Sequence, residues 1–278
     1  MMHFLKNMSK PLIRIKDSCF SHVYSSSGWN KPSYFEWKRD DLPSDEYTFI
    51  TDAYLTQNLD SNSIAFLIEP PSTSPWTYQF AYQNQNKFKY ILTFSEDLIK
   101  VCKNALFYPY GGTFFKQEEF SLYSKNKNIS MLLSNKQDTD GHKFRHLCKN
   151  FISNKGVDIY QSSNEIRFNK LDTCKDYRYS IIVENGKYSS YFSEKIIDCF
   201  ITGTIPIYNG CPTIDKFFNT DGIVNFNSLE ELNIILKYAD EQLYDSKINA
   251  IKENFELAKK YLIAEDWIYK QYPFLFKI

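Results

Sequence analysis

The sequence lacks the features that would place it among membrane, secreted or nucleic-acid-binding proteins. It has no run of about 18 apolar residues, and its start, MMHFLKNMSKPLIRIK, carries too many charges for a signal peptide. The 33 basic residues balance the 33 acidic ones, so there is no electrostatic case for nucleic acid or an anionic membrane as the main partner. We therefore expect a soluble, cytoplasmic protein without a transmembrane segment.

Metal-binding patterns are also absent. The 6 cysteines form no CxxC pair, and neither they nor the 4 histidines show metal-ligand spacing. His142 and His146 can share a helix face, but no HExxH pattern or third ligand accompanies them. We expect no bound metal, while disulfide pairing of the cysteines stays open.

Length and composition favour two α/β domains. At 278 residues and 43% hydrophobic content, the chain can form one large domain or two of ordinary size, and two would suit parallel sheets. After Gly111 and Gly112 the composition turns polar and charged, and no buried face can be drawn through it. We predict a first domain over 1–125, a second over 126–262, and a C-terminal segment over 263–278. Within the second, a long helical pattern begins at Asp245 and continues to Leu262.

The stretch 177–215 carries the strongest local signals. Residues 178–183 are mostly β-branched and aromatic, which predicts a buried strand. Ser193 can cap a helix, and the apolar residues after it recur with helical spacing up to Gly203, where a helix would end. A second buried strand begins at Ile205. Strand, helix and strand within about thirty residues predict a βαβ unit with parallel strands.

Polar side chains cluster where this unit would have its carboxyl edge, which is where open parallel sheets bind ligands. The polar residues on this edge are Glu184, Asn185, Tyr191, Glu194 and Lys195. A helix beginning after Ser193 would point free N–H groups into the crevice, and Lys195 would add a positive charge. These features indicate a site for an anion, most plausibly phosphate. A solvated Lys195 paired with Glu194 is the alternative.

The segment ENGKYSSYFSEKIIDCFITGTIPIYNG, residues 184–210, resembles the signature of the family 10 glycosyltransferases, the α-1,3/1,4-fucosyltransferases. That signature is roughly FEN, a short gap, Y-x-T-E-K, a helix, and G-T-x-P-x-x-x-G. Ser193 replaces the usual Thr and keeps the hydroxyl, and Asn209 stands where the family often has an apolar or aromatic residue. The resemblance implies the GT-B fold, in which two Rossmann-like parallel-sheet domains face each other across a cleft.

Two residues outside this segment match the family's pattern. An apolar run over 64–68 predicts a strand, and the Glu-Pro-Pro sequence that ends it presents Glu69 at the strand's carboxyl end. The resemblance implies that Glu69 is the general base; a carboxylate that merely caps a turn is the alternative. Arg145, off the apolar face of a predicted helix, matches the arginine that contacts the donor diphosphate, with an ordinary surface arginine as the alternative.

The resemblance implies an inverting glycosyltransferase that needs no metal and moves fucose from GDP-fucose to a hydroxyl of a glycan or glycoconjugate. Arg145 and Lys195 would neutralise the leaving diphosphate, and Glu194 would accept hydrogen bonds from the ribose. Tyr191 would lie against the nucleotide or sugar, and Glu184 and Asn185 would orient the donor.

Further expectations follow from the family. Its animal members carry an amino-terminal membrane helix that this sequence lacks, so we expect a soluble enzyme of the bacterial or viral kind. In two-domain glycosyltransferases the last helix commonly crosses back onto the first domain, and residues 263–278 could do so. The DTD sequence at 138–140 spells a DxD motif, but it lies in a polar loop before a helix, and we interpret it as coincidence.

Two other functions remain open. One is the same fold with a different nucleotide-sugar donor, because nothing in the sequence distinguishes fucose from another deoxyhexose. The other is a non-catalytic carbohydrate-binding protein that retains the fold.

Overall fold

Two parallel β-sheets organise the chain. The computed structural model describes residues 10–39, 46–57 and 59–276. The first sheet has six strands in the order β2-β1-β3-β4-β5-β6, and the second has five in the order β11-β10-β9-β7-β8. All neighbouring strands are parallel. The strands are β1 (Leu12–Lys16), β2 (Glu36–Lys38), β3 (Thr48–Ile50), β4 (Ser63–Phe66), β5 (Tyr90–Thr93), β6 (Ala105–Phe107), β7 (Lys127–Ser134), β8 (Asp158–Ser162), β9 (Tyr177–Val183), β10 (Ile205–Asn209) and β11 (Val224–Asn225).

Helices connect and cover these strands. They are α1 (Pro75–Gln83), α2 (Glu96–Val101), α3 (Asp140–Ile152), α4 (Glu194–Phe200), α5 (Leu229–Tyr238), α6 (Glu241–Ser246), α7 (Ile248–Ala258) and α8 (Ala264–Gln271). Several begin at a side chain that accepts a hydrogen bond from a backbone N–H of the first turn, which satisfies a donor that would otherwise lack a partner. These capping residues are Ser95, Thr139, Ser193, Ser228 and Asp240. Within the described ranges, no helix is both long and apolar enough to cross a membrane.

The predicted βαβ unit is present as β9, α4 and β10. Ile205 of β10 pairs in parallel with Tyr179 of β9, and the five residues of β10 are all buried. Gly203 has a φ of +73°, a left-handed conformation that ends the helical segment and turns the chain into β10. Local sequence patterns therefore located this unit correctly, with its strands parallel.

The long helix predicted from Asp245 to Leu262 is wrong in its bounds. The helical region begins earlier, at Glu241, and breaks at Lys247 between α6 and α7. Asp240 caps α6 by accepting from Leu243 N at 2.8 Å. This N-cap explains the early start, because a capping carboxylate is strongly preferred at a helix beginning.

The C-terminal segment packs against the first sheet. Ala264 and Ile268 of α8, with Leu275 and Phe276 beyond it, share one hydrophobic cluster with side chains of β1, β3 and β4. The Tyr272 hydroxyl donates to the Phe107 carbonyl of β6 at 2.8 Å. The last described residues therefore return from the second sheet to the first and help to form its core. The predicted boundary near residue 125 falls in the connection between β6 and β7, and it stays a prediction.

The two halves also meet through the connection that follows β6. The Gly111 N–H donates to the Phe192 carbonyl at 3.1 Å, and the Thr113 hydroxyl donates to Asp198 Oδ1 at 2.6 Å. Gly111 has a φ of +58°, and a Cβ there would lie 2.4 Å from the Tyr261 carbonyl oxygen. Only glycine fits this approach, which joins the connection to both the start of α4 and the end of α7.

Truncating Ile268 tests how much the C-terminal segment contributes to folding. Ile268 is 1% exposed, so Ile268→Ala should lower the free energy of unfolding by about 2–5 kcal/mol through lost burial and a residual cavity. The matched control is Ile234→Ala on α5, because Ile234 is 57% exposed and its loss should change stability by less than about 0.5 kcal/mol. Guanidinium unfolding followed by circular dichroism measures both. Equal effects of the two substitutions would contradict the packing of this segment.

Candidate active site

A cavity of about 320 Å³ lies at the carboxyl edge of the second sheet. The ends of β7 and β9 and the first turns of α3 and α4 surround it. Four of the residues predicted to bind a donor line this cavity: Arg145, Asn185, Glu194 and Lys195. The structure thus brings side chains from α3, α4 and the segment after β9 to one space. Glu69, Glu184 and Tyr191 are not among its lining residues.

Arg145 is a buried guanidinium aimed at the end of β9. Only 6% of the residue is exposed. Its Nε and Nη2 donate to the Val183 carbonyl, from Nε at 3.2 Å, and Nη2 also donates to Asn185 Oδ1 at 3.2 Å. These partners are neutral, and Arg145 forms no ion pair within the described residues. Burial lowers the pKa of Arg145 by more than the charges of Glu184 and Glu194 raise it, so a further anion beside the guanidinium would stabilise its charge.

Glu184, predicted to orient the donor, is hydrogen-bonded to the start of α4. It is 1% exposed, and its two oxygens accept hydrogen bonds from Ser193 N at 3.0 Å and Ser193 Oγ at 2.6 Å. The Tyr208 hydroxyl donates to it as well, at 3.5 Å. Because these protein groups take up the carboxylate, Glu184 positions the start of α4 rather than facing the cavity.

Lys195 and Glu194 form an ion pair at the wall of the cavity. Lys195 Nζ lies 3.1 Å from Glu194 Oε1 and 3.5 Å from Glu184 Oε2. Burial lowers the pKa of Lys195, but the two carboxylates outweigh it and the net pKa is raised. Burial raises the pKa of Glu194, but Lys195 and Lys170 outweigh it and the net pKa is lowered. Both groups are therefore charged at neutral pH, and the two carboxylates compensate a cation that would otherwise oppose the helix dipole.

Tyr191 lies in the core between the two halves. It is 2% exposed, and its ring packs 4.8 Å from that of Phe94, which follows β5. It belongs to a hydrophobic cluster made mostly of first-sheet residues. The prediction that it lies against the nucleotide or sugar therefore finds no support in this geometry, because the ring is covered by protein.

Glu69 lies beyond β4, at the carboxyl edge of the first sheet. It is partly buried, and its backbone carbonyl accepts from the Tyr78 hydroxyl at 2.9 Å. Burial, Glu194 and Asp52 raise the pKa of its carboxyl group, while Lys195 and Lys136 lower it by less. The net pKa of Glu69 is raised, and the charges of Glu194 and Lys195 both act on its carboxyl group. This places the carboxylate across from the cation site, on the other half of the molecule.

Several polar residues that line the cavity were not among the predicted site residues. Those with titratable side chains include Lys136, Lys170, Asp198 and His142. Asp198 lies four residues after Glu194 on α4 and therefore shares its helix face, a signal that was available in the sequence. Lys170 comes from the connection between β8 and β9, where no periodic pattern marks it. Burial and then Arg145 lower the pKa of His142 to about 4, so its imidazole is neutral at pH 7, and its Nδ1 is buried without a hydrogen-bond partner in the described part of the chain.

The cysteines and potential metal ligands add no further site. All 6 cysteines are free thiols. Among residues 10–39, 46–57 and 59–276, no three or more His, Cys, Asp or Glu side chains are grouped to hold a metal ion.

The chain is similar in sequence to known proteins. No protein-family model matches the chain. In a match 129 residues long, the chain is 30% identical to the alpha-(1,3)-fucosyltransferase FucT of Helicobacter pylori. The match covers 39% of this chain and 27% of that protein. Over 85 residues it is 26% identical to a fucosyltransferase-like protein of Arabidopsis thaliana, covering 29% of the chain and 17% of that protein. The resemblance to fucosyltransferases is confirmed. The matches span only a minor part of either relative's length.

Solved structures of glycosyltransferases have the same fold as this chain. A crystal structure of an alpha1,3-fucosyltransferase with GDP aligns over 96% of both chains at a TM-score of 0.56 and 17% identity. One with GDP-fucose aligns over 94% of both chains at the same score and identity. The trehalose-6-phosphate synthase OtsA aligns over 85% of this chain and 73% of its own at a TM-score of 0.54 and 11% identity. The predicted GT-B type, with two parallel-sheet domains, is therefore confirmed, and the relatives are glycosyltransferases.

Gly141 permits the close approach that holds Arg145 in place. A Cβ at this position would lie 2.0 Å from the Glu184 carbonyl oxygen and 2.6 Å from the Asn185 carbonyl carbon. The first turn of α3 therefore rests directly on the segment after β9. The same helix carries Arg145, whose Nε donates to the Val183 carbonyl at 3.2 Å.

Substituting Gly141 should reverse the usual effect of a glycine in a helix. Ala is about 1 kcal/mol better than Gly in a helix interior, so Gly141→Ala would stabilise an uncrowded helix. Here the clash with backbone should instead destabilise the fold. It should also weaken binding of GDP, because Arg145 moves with α3. Chemical unfolding gives the sign of the stability change and calorimetry gives the affinity. A stabilised variant with unchanged affinity would contradict the close contact.

Proposed function

We propose that this protein is an inverting α-1,3-fucosyltransferase that transfers fucose from GDP-fucose to a hydroxyl of a glycan or glycoconjugate without a bound metal. One observation carries the proposal: Arg145 and Lys195, far apart in the chain, line one cavity, and Arg145 forms no ion pair within the described residues. A nucleotide diphosphate would supply an anion to both cations. The names of the relatives support fucose as the sugar and GDP as its carrier.

The donor's diphosphate would lie between the two cations. Arg145 donates Nε and Nη2 to the end of β9, which fixes the guanidinium plane and leaves Nη1 without a hydrogen-bond partner among the described residues. Lys195 Nζ is held by Ser193 Oγ at 3.0 Å and by the two carboxylates. Both cations are thus positioned before the ligand arrives, which lowers the reorganisation needed during reaction. Asn185 would orient the donor through Arg145, and Glu194 would accept hydrogen bonds from the ribose hydroxyls.

Transfer would proceed by direct displacement at the anomeric carbon. The acceptor oxygen forms its bond to that carbon from the face opposite the diphosphate, and the bond from carbon to phosphate oxygen breaks, which inverts the configuration. Glu69 takes the proton of the acceptor hydroxyl. The bond's electron pair leaves on GDP, where Arg145 and Lys195 neutralise the charge that develops. Because Arg145 and Lys195 would neutralise this charge, transfer would need no bound metal.

The raised pKa of Glu69 suits a general base. A carboxylate with a pKa above its ordinary value is a stronger base when ionised, which suits it to remove a proton from a hydroxyl. Its place on the first sheet puts the acceptor on the wall of the cleft opposite the donor.

Removing either cation should impair transfer. Lys195→Ala and Arg145→Ala should each cost at least about 2 kcal/mol of transition-state stabilisation, roughly a thirtyfold fall in kcat/KM. The matched control is Lys143→Ala, because Lys143 lies on α3 with 63% of its side chain exposed and does not line the cavity. Fucose transfer from GDP-fucose to a panel of glycan acceptors measures the rates, and circular dichroism checks the fold. Full activity in either variant would remove its assigned role.

Changing Glu69 should separate chemistry from donor binding. Glu69→Gln keeps the side chain's shape but removes the base, so transfer should be lost while the dissociation constant for GDP-fucose changes by less than about threefold. Calorimetry with GDP-fucose and a transfer assay measure the two quantities. A variant that no longer binds the donor would count against Glu69 as the base.

A thermal-shift comparison of GDP-, UDP- and TDP-sugars on the wild type tests the donor itself, since a ligand at 100 times its dissociation constant adds about 2.7 kcal/mol of stability.

A further inference from the structure

His142 is a buried titratable side chain that the proposed mechanism does not use. Only 6% of the residue is exposed, and it lines the same cavity as Arg145 and Lys195. Its Nδ1 has no hydrogen-bond partner in the part of the chain that the structure describes. Burying a polar ring nitrogen without a partner costs free energy, so a ligand that fills the cavity would give this imidazole an interaction that the protein does not provide.

The first turn of α3 holds His142 next to Arg145. The Thr139 hydroxyl accepts from His142 N at 3.1 Å and caps the helix at this turn. His142 and Arg145 are three residues apart, so they are neighbours on one face of the helix. The unpaired N–H groups of the turn give this end of α3 a partial positive charge, which favours an anion beside His142.

Three cations act on the imidazole, each from a different part of the fold. Burial is the largest cause that lowers the pKa of His142, and Arg145 on α3 is the next. Lys136, in the connection between β7 and α3, and Lys195 on α4 lower it further, while Asp138 in the same connection raises it. The net result is a pKa of about 4. The free protein therefore holds a neutral imidazole among cations at pH 7.

A diphosphate in the cavity would reverse this balance. An anion close to an imidazole favours the charged form, against the effects of burial and of the neighbouring cations. The same anion would pair with Arg145 and Lys195, so their repulsion of a charged His142 would be compensated. The pKa of His142 should then rise towards the ordinary value for histidine, about 6.5.

We propose that donor binding is coupled to the uptake of one proton from solvent by His142, which then contacts the diphosphate as a third cation beside Arg145 and Lys195. This step rests on the function proposed above. Above the pKa of the complex, His142 is neutral with and without the donor, and below about pH 4 it is charged in both states. Between these limits the affinity for the donor should increase as the pH falls, because the complex binds more protons than the free protein.

Calorimetry of GDP-fucose binding to the full chain measures this proton directly. The heat of binding at pH 6 is recorded in buffers with different heats of ionisation, and its dependence on them gives the number of protons taken up. GDP-fucose is the probe because both of its phosphates are substituted on two sides, so neither has the second ionisation near pH 6 that a terminal phosphate has. The wild type should take up at least about half a proton at pH 6, and its dissociation constant should rise at least about fivefold from pH 5 to pH 7.

Two substitutions on α3 locate the proton. His142→Gln keeps a polar side chain that cannot be protonated, so uptake should fall below about 0.1 proton and the dissociation constant should change less than about twofold over the same range. His146→Gln is the matched control, because His146 lies one turn further along α3, does not line the cavity, and has its Nε2 3.2 Å from the Lys136 carbonyl oxygen. This control should keep the wild-type uptake and affinity. Circular dichroism checks that both variants fold.

Glu69 is the acidic group of the cleft that an anionic donor can also protonate, so Glu69→Gln completes the set. We expect this variant to take up as much proton as the wild type. Equal uptake in the wild type and His142→Gln, or loss of uptake in Glu69→Gln, would overturn the assignment to His142.

NMR titration of the wild-type histidine ring protons gives the answer without any substitution at His142. The pKa of His142 should be about 4 in the free protein and at least about 6 with GDP-fucose bound, and an unchanged pKa would again overturn the assignment. Wild-type protein that binds GDP-fucose without taking up a proton would refute the coupling but leave the transferase proposal standing. Wild-type protein that does not bind GDP-fucose would refute both.

Discussion

The Glu184 carboxylate and the Arg145 guanidinium hold the segment after β9 from two sides, and the candidate site depends on this arrangement. Glu184 accepts from the backbone and hydroxyl of Ser193, which fixes the start of α4 and with it Glu194 and Lys195. Arg145 reaches the same segment from α3 through the Val183 carbonyl. Two helices that begin far apart in the chain are therefore tied to one strand end. Each of these hydrogen bonds gives a partner to a buried charged group. Removing one would leave the Arg145 guanidinium or the Glu184 carboxylate buried with fewer partners.

The charges around the cavity follow from this geometry. Lys195 is balanced by Glu184 and Glu194, but Arg145 has only neutral partners among the described residues. Glu69 on the opposite half has a raised pKa, mainly because it is buried and faces Glu194. A ligand with a negative diphosphate and a reacting hydroxyl matches this distribution, because the diphosphate can pair with Arg145 and Lys195 while the hydroxyl lies towards Glu69.

Part of this site was accessible from sequence. Asn185, Glu194 and Lys195 follow a recognisable strand or begin a capped helix, so their position at the sheet's carboxyl edge came from local patterns. Glu184 and Tyr191 fall on the same edge in sequence, yet one carboxylate is taken up by Ser193 and one ring is covered by Phe94. Which of two neighbouring polar residues faces the ligand depends on contacts with distant segments. Lys170 was missed for the same reason, since its connection has no periodicity that marks its direction.

The sequence alone determined the two parallel sheets and the βαβ unit, because hydrophobic period, helix caps and turn residues act over a few neighbouring positions. The family resemblance came separately, from the motif over residues 184–210. Tertiary structure decided which charges share a cavity, that α8 returns to the first sheet, and that Asp198 lies beside Lys170. These outcomes depend on burial and on hydrogen bonds between residues such as Thr113 and Asp198, whose separation along the chain leaves no local signal. The candidate site forms only because the half with the first sheet packs against the half with the second sheet.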